Sequence, residues 1–447
     1  MKKYFSFTGF ACLCLVAFTT SLAAAEAVVV ASPDGKVKLQ LTAEDGVLRY
    51  DVAVDGQPVL EPSKLGIVSD GNNLGEGVTL GQIDRRKVNE RYRLWGAHAE
   101  AVNRANEVTV TATSHGETFA VDIHVANDGA AARLRLAAKA NRQIQGDSSA
   151  WRLPGNPALW ATTLNPCYED PYFTTTLDHL GTNAYGLPLT AKAGNVYVTL
   201  TEALLKDYGD LAVKRSASGD LQGFLFADPR GWTTDAAVVQ PWRVTIVARD
   251  LTALVNSTLV ADLNPPADPA LLKASWIKPG RSAWQWMAIG APHLDDQRQW
   301  VDWTKALGFE YYLVDEGWKS WPGNWAALAS VCSYAKTNNV KVWLWVHSRE
   351  VRDATARKAY FRRAVEAGVV GVKIDFPPAC NRWWSNWYYD TAADAAACQL
   401  MVDFHGAVKP TGLERTWPNV LTREGIRGHE WHMTRYHRLM PAAHDTL

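Results

Sequence analysis

Three acidic residues are the candidates for chemistry, and the first stands where a charge is costly unless it has a task. Asp375 closes the apolar run Gly371-Val372-Lys373-Ile374-Asp375-Phe376, and the two-residue period of a strand puts Lys373 on the same side. Glu424 and Glu430 flank the stretch Arg423-Glu424-Gly425-Ile426-Arg427-Gly428-His429-Glu430. Its two glycines predict a loop rather than a helix, which lets both carboxylates converge on one cavity. Paired carboxylates suit glycoside hydrolysis: one protonates the leaving oxygen, the other attacks the anomeric carbon or activates water. Carboxylates grouped without cysteine also suit a hard cation such as calcium, which takes oxygen ligands. Two plainer readings stay open here. Asp375 can cap the turn that follows it, and Glu424 and Glu430 can pair with neighbouring arginines on a surface loop. No phosphate-cradling glycine loop, zinc motif or nucleophile elbow competes with the carboxylates. His98, His124 and His293 are isolated and read as structural.

Repeated strand, loop and helix patterns must position these acids. After Ser275, apolar strands are expected at 282–288, 310–315, 341–347, 369–376, 399–404 and 413–417, with helices at 296–307 and 325–337. Continuous apolar strands alternating with helices predict a parallel sheet buried on both faces. Polar residues recur at the strand ends: Asp315-Glu316-Gly317-Trp318, His347, Asp375 and His405-Gly406. A (β/α)8 barrel carries its site at that end of every strand, whereas a doubly wound sheet gathers it at one switch point. Before this region the chain reads as short alternating strands with turns at Asp34-Gly35, Asp55-Gly56 and Asp70-Gly71. The run Asn264-Pro265-Pro266-Ala267-Asp268-Pro269 breaks that pattern. The expected fold is therefore an antiparallel β-sandwich over 26–268, then a (β/α)8 TIM barrel over 269–447. About six of the eight barrel strands are present, so the expectation includes an incomplete C-terminus, exposed strand edges and poor solubility for the chain alone.

Composition narrows the partners. Lys and Arg number 46 and Asp and Glu 46, so no bulk charge attracts nucleic acid or an anionic membrane. Tryptophan is abundant, 15 of the 20 lying after position 275, and aromatic faces suit the apolar faces of sugar rings. Lys2 and Lys3, an apolar run to Phe18 and the small residues Ser21-Leu22-Ala23-Ala24-Ala25 predict a signal peptide at 1–25 and secretion, in a bacterium to the periplasm. No stable membrane insertion is expected after cleavage. Cys167, Cys332, Cys380 and Cys398 remain, too widely spaced for a disulfide scaffold; Cys380 and Cys398 read equally as a pair or as buried thiols.

Taken together, several segments resemble glycoside hydrolase family 97. They are Ser32-Pro33-Asp34-Gly35, Gly56-Gln57-Pro58-Val59-Leu60, Leu200-Thr201-Glu202-Ala203 and Ser275-Trp276-Ile277-Lys278-Pro279-Gly280. Leu313-Val314-Asp315-Glu316-Gly317-Trp318, Lys373-Ile374-Asp375-Phe376, Phe404-His405-Gly406, Lys409-Pro410-Thr411-Gly412 and Arg423-Glu424-Gly425-Ile426-Arg427-Gly428 continue the match in order. The resemblance implies a secreted bacterial α-glycosidase with a sandwich, a catalytic barrel, a small C-terminal β domain and bound calcium. It implies Glu430 as general acid, and Glu202, Glu424 and Glu430 as calcium ligands. Inverting members carry a base glutamate where this chain has Gly406, and a second one where it has Ser348. The Lys373-Ile374-Asp375-Phe376 segment resembles the retaining branch, which implies Asp375 as nucleophile and an α-galactoside as substrate. Trp286, Asp315, Glu316, Trp318, His347, Lys373 and His405 are the expected sugar contacts. An α-glucosidase of the same family and an inactive, truncated carbohydrate-binding remnant are the alternatives.

Overall fold

The computed structural model describes residues 27–96 and 98–433, with Met1 and His444. The expected leader, apart from Met1, lies outside them. The first four strands, Val28–Ala31, Val37–Thr42, Arg49–Val54 and Gln57–Lys64, form an antiparallel meander in chain order. Asp55 and Gly56 turn the third strand into the fourth with both φ angles positive, 50° and 81°, the geometry that an Asp-Gly pair adopts at least cost. The buried face of this meander packs on a ten-stranded sheet. Leu39, Leu41, Tyr50 and Val52 share one core with Val110, Val121, Ile123 and Leu134, all 1% exposed or less. This is the expected sandwich. Three short helices, Leu251–Val255, Leu259–Asp262 and Pro269–Leu272, lead out of it.

The second half is a parallel sheet of six strands in chain order: Ser282–Trp284, Tyr311–Val314, Lys341–His347, Val369–Asp375, Met401–His405 and Val420–Arg423. Helices Gln297–Ala306, Asn324–Thr337, Ala354–Glu366 and Arg382–Ala397 alternate with the strands. Asp353 and Asn381 cap the last two by accepting from backbone N–H groups of the first turn. Among the described residues, no pairing joins the first strand to the last, so the sheet is curled but not a demonstrated closed barrel.

Two expected strands are corrected. The run 282–288 extends only to Trp284 before Gln285–Ile289 turns helical, because a short apolar run fits either state. Residues 413–417 begin a one-turn helix, Leu413–Thr416, after Gly412 at φ 86°. The sixth strand follows at Val420, beyond Pro418. The cysteine question also resolves: Cys380 and Cys398 are free and flank a 16-residue helix. A helix of that length separates its ends by roughly 24 Å, far beyond disulfide reach.

The two halves are joined by buried charge. Glu202 and Arg243 face each other on neighbouring sandwich strands, with Arg243 Nη1 donating to Glu202 Oε2 at 2.6 Å. Lys409, from the loop after the fifth parallel strand, places Nζ 2.8 Å from Glu202 Oε1 and also pairs with Asp210. All four side chains are 1% exposed or less. Burial and the Glu202 charge push the Asp210 carboxyl up to about 6, against the pull of Lys409. Backbone bonds reinforce the joint: Leu204 N–H donates to Thr411 O at 3.0 Å, and Asp210 N–H to Cys380 O at 3.2 Å.

Replacing Lys409 with Met would leave two buried carboxylates without their shared cation. The expected loss is about 3–5 kcal/mol in urea unfolding. Part of it should return in the Lys409→Met, Asp210→Asn double variant. A single variant within about 0.5 kcal/mol of the parent would show that the cluster does not hold the halves together.

Candidate active site

The strand Val369–Asp375 carries Lys373 and Asp375 to its C-terminal end, both 4% exposed or less. Lys373 Nζ donates to Asp315 Oδ2 at 3.0 Å, lies 3.9 Å from Asp375 Oδ2, and sits 4.2 Å over the Trp284 ring. Burial opposes its charge, yet Asp315 and Asp375 hold its pKa above the ordinary lysine value. Asp375 Oδ2 accepts from Trp345 Nε1 at 3.0 Å, and Oδ1 accepts from Phe376 N–H at 2.9 Å. Burial again opposes the charge, but His405, Lys373 and Trp345 outweigh it and keep the Asp375 pKa below the usual aspartate value. This carboxylate is built to be ionised.

His405, on the neighbouring strand, is the cation that the acids share. Its Nδ1 lies 2.9 Å from Glu424 Oε2 and 3.4 Å from Asp375 Oδ1, and its Nε2 lies 3.9 Å from Glu430 Oε2. Burial disfavours the imidazolium, but the hydrogen bonds to Asp375 and Glu424 raise its pKa to about 10. Glu424 leaves the sixth strand and also accepts from Gly406 N–H at 2.9 Å. The glycine-spaced loop then returns Glu430, whose Oε1 accepts from Trp286 Nε1 at 2.6 Å. Burial and the Glu424 charge raise the Glu430 pKa, against Lys373, Trp286 and His405. Two carboxyl groups on one histidine are thus driven in opposite directions.

A fourth acid comes from the sandwich. Glu169 Oε2 accepts from Trp431 Nε1 at 3.3 Å. A Cβ built on Gly406 would lie 3.1 Å from Glu169 Oε1 and 3.2 Å from Asp375 Oδ1. Burial, then the Glu424 charge, push Glu169 up to about 7. Ligand atoms of His405, Glu424 and Glu430 all lie within 4.8 Å of one another, and Glu169, outside that group, is near enough for the Glu424 charge to act on it. His405, held as an imidazolium by these acids, offers no lone pair to a metal, so the carboxylates of Glu424 and Glu430 are the oxygen donors of this group that suit a hard cation.

The expected site residues separate into two sets. Asp375, Glu430, Glu424, Lys373, His405, Asp315 and Trp286 come together. Glu316 is exposed beside Asp315, and His347 is half-buried at the rim, its Nδ1 accepting from Arg349 N–H at 3.2 Å. Glu202 is a correction: both its oxygens are engaged by Arg243, Lys409 and Leu211 N–H within the buried joint, and it is not in the group with Glu424 and Glu430. Trp318 is another. It is fully buried, donates to Trp345 O at 3.1 Å and packs edge-on against Trp325, so it presents no face to a sugar. Sequence reading missed Glu169, which lies in an irregular Pro-flanked loop with no periodic signal. It also missed Trp345, whose alternation along its strand marks it only as another buried aromatic.

A probable retaining α-galactosidase of Streptomyces bingchenggensis is 32% identical over 88% of this chain and 64% of its own length. A retaining α-galactosidase of Bacteroides thetaiotaomicron is 28% identical over 94% of this chain and 70% of its own. The chain thus spans about two thirds of the length of these relatives. A glycoside hydrolase family 97 enzyme of Pseudoalteromonas sp. strain K8, solved with acarbose, superposes with a TM-score of 0.81 over 91% of this chain and 70% of that one, at 22% identity. A β-arabinopyranosidase crystal structure gives the same TM-score at 24% identity, covering 90% of this chain and 70% of that one. At these identities the structural likeness is one of fold. Residues 30–266 match the glycosyl-hydrolase 97 N-terminal family and residues 280–426 the glycoside hydrolase 97 family. Matched across both halves, the chain belongs to glycoside hydrolase family 97.

Proposed function

We propose that this chain is a retaining α-glycosidase acting on terminal α-galactosides. The observation that carries the reading is the opposed tuning of two carboxyls around His405: His405 and Lys373 lower the Asp375 pKa against burial, and burial raises that of Glu430. Asp375 attacks the anomeric carbon while Glu430 protonates the departing oxygen. Glu430 then takes a proton from the water that releases the sugar. The curated relatives named as retaining α-galactosidases support this assignment. Gly406 supports it as well, since no side chain there can serve as a base to activate water. Lys373 and Asp315 lie beside Asp375, where the lysine can donate hydrogen bonds to ring hydroxyls and the aspartate can accept them. Glu169, Glu424 and Glu430 would hold a calcium ion, which would supply positive charge to a crowded carboxylate group and fix its geometry. The leader at 1–25 would export the chain, in a bacterium to the periplasm.

Stereochemistry tests the nucleophile. The first product from p-nitrophenyl α-galactoside should be the α-anomer by NMR, and faster turnover of the corresponding α-glucoside would move the specificity to glucose. Asp375→Ala should lose at least about a thousandfold in kcat, and added azide should yield the β-galactosyl azide by entering the vacated space. Initial β-anomer sinks the assignment.

The pH profile tests the tuning. Activity needs Asp375 charged and Glu430 protonated, so kcat/KM should fall on the acid side as Asp375 takes a proton and on the basic side as Glu430 loses one. His405→Gln removes a positive neighbour from Asp375, raises its pKa and should move the acid limb to higher pH. An unmoved acid limb would show that His405 does not hold the Asp375 charge.

Chelation tests the metal. A ligand bound only by the native state adds stability by mass action, so EGTA should lower Tm by several degrees and calcium should restore it. Glu169→Gln should weaken that restoration, whereas Glu202→Gln should leave its calcium dependence intact. An EGTA-insensitive Tm would remove calcium from the site.

A further inference from the structure

The residue after Asp375 has a conformation that the nucleophile's needs do not fully explain. Phe376 has φ 60°, the left-handed region that bulky L-residues avoid and glycine enters freely. Three hydrogen bonds hold it there. Its N–H donates to Asp375 Oδ1 at 2.9 Å and to His405 O at 3.3 Å, and its carbonyl accepts from Ser348 Oγ at 2.7 Å. These bonds account for the backbone, because they fix the N–H against the Asp375 carboxylate. They do not account for the phenyl ring, since glycine would supply the same N–H and carbonyl without strain.

The ring's surroundings indicate its use. Phe376 is 45% exposed, whereas Val346, Ile374 and Phe404 near the same strand ends are fully buried. It stands one residue further along the strand direction than Asp375, and therefore nearer the mouth. Its Cδ1 lies 3.6 Å from the point where a Gly406 Cβ would sit, which is itself 3.2 Å from Asp375 Oδ1. On the other side its ring lies 5.6 Å from the His347 ring, tilted at 55°. An aromatic wall made of Phe376 and His347 thus rises from the buried carboxylate to the opening. Deeper in, the polar groups of Lys373, Asp315 and Asp375 suit the hydroxyls of the sugar being transferred. The ring at the mouth meets what projects beyond that sugar.

We propose that Phe376, backed by His347, is the platform for the leaving-group sugar and sets a preference for oligosaccharide substrates over glycosides with small leaving groups. The C–H face of a pyranose packs on an aromatic ring as any apolar surface does. This inference rests on the glycosidase reading above, and its test separates the two.

The measurement is the ratio of kcat/KM for raffinose to that for α-galactosyl fluoride, whose leaving atom has no ring to stack. In Phe376→Gly the ratio should fall at least tenfold, and in Phe376→Trp it should be kept or raised. The glycine variant relieves backbone strain, so it should melt no lower than the parent. An unchanged ratio, including an equal loss on both substrates, overturns the platform and leaves Phe376 as a support for Asp375. A parent protein that cleaves neither substrate overturns the glycosidase reading instead. Titration with melibiose and methyl α-galactoside, followed by tryptophan fluorescence, then decides the platform. Loss of the parent's disaccharide preference in Phe376→Gly supports it, and equal behaviour of parent and variant rejects it.

Discussion

Lys409 is the pin on which both halves of the active site turn. A lysine with no solvent exposure is tolerable only if its charge is matched, and Glu202, Asp210 and the Tyr168 hydroxyl surround it. The matching partners come from the sandwich, while Lys409 comes from the loop after the fifth parallel strand, so satisfying the charge fixes one half against the other. The consequences run along the chain in both directions. Tyr168 Oη accepts from Lys409 Nζ at 3.1 Å and donates to Asp210 at 2.6 Å, which fixes the loop that delivers the next residue, Glu169. The Lys409 carbonyl accepts from Arg423 Nη1 at 3.3 Å, which fixes the strand end that delivers Glu424. Two of the candidate metal-holding carboxylates therefore depend on a cation that touches neither.

The same logic, repeated at smaller scale, organises the centre. Lys373 lies between Asp315 and Asp375, and His405 between Asp375, Glu424 and Glu430. Each buried cation serves more than one acid, so the acids compete for positive charge. Asp375 touches His405 and lies near Lys373, and its pKa is lowered. Glu430 lies farther from His405 and beside Glu424, so burial and that neighbouring charge prevail over Lys373, Trp286 and His405 and its pKa is raised. The difference arises from how far the shared cations offset burial at each acid. It is also the difference that a nucleophile and an acid require.

What was legible in the sequence is what local pattern records. Lys373 and Asp375 could be placed on one side of a strand because side chains alternate with period two. Glu424 and Glu430 could be brought together because glycines at 425 and 428 forbid a regular helix between them. Pairing across long sequence distance leaves no such mark. Glu202, which the family resemblance implied as a calcium ligand, instead pairs with Arg243 and Lys409, 41 and more residues away. Glu169, which no local pattern singles out, is the sandwich acid whose charge meets that of Glu424, and only the folded joint brings it there. Trp318 shows the converse. A tryptophan next to the strand-end pair Asp315-Glu316 has the address of a sugar contact, yet its ring turns inward to Trp325 and Trp345 O. Position along the chain specifies the end of the sheet; packing decides which way a ring faces.

Position 406 shows how sterics can constrain a mechanism. Gly406 follows the fifth strand at φ 52°, and its N–H donates to Glu424 Oε2. Any side chain there would enter the gap between Asp375 Oδ1 and Glu169 Oε1, where a Cβ already stands about 3 Å from each oxygen. A carboxylate on such a side chain would bring more negative charge beside groups already competing for Lys373 and His405. The open position thus does two things at once. It lets Asp375 and Glu169 approach from opposite sides, and it adds no further carboxylate over Asp375. In the proposed mechanism Asp375, oriented by Trp345 and Phe376 N–H, is the group that meets the anomeric carbon. The retaining reading therefore pairs a carboxylate that is present, Asp375, with a side chain that is absent, at Gly406.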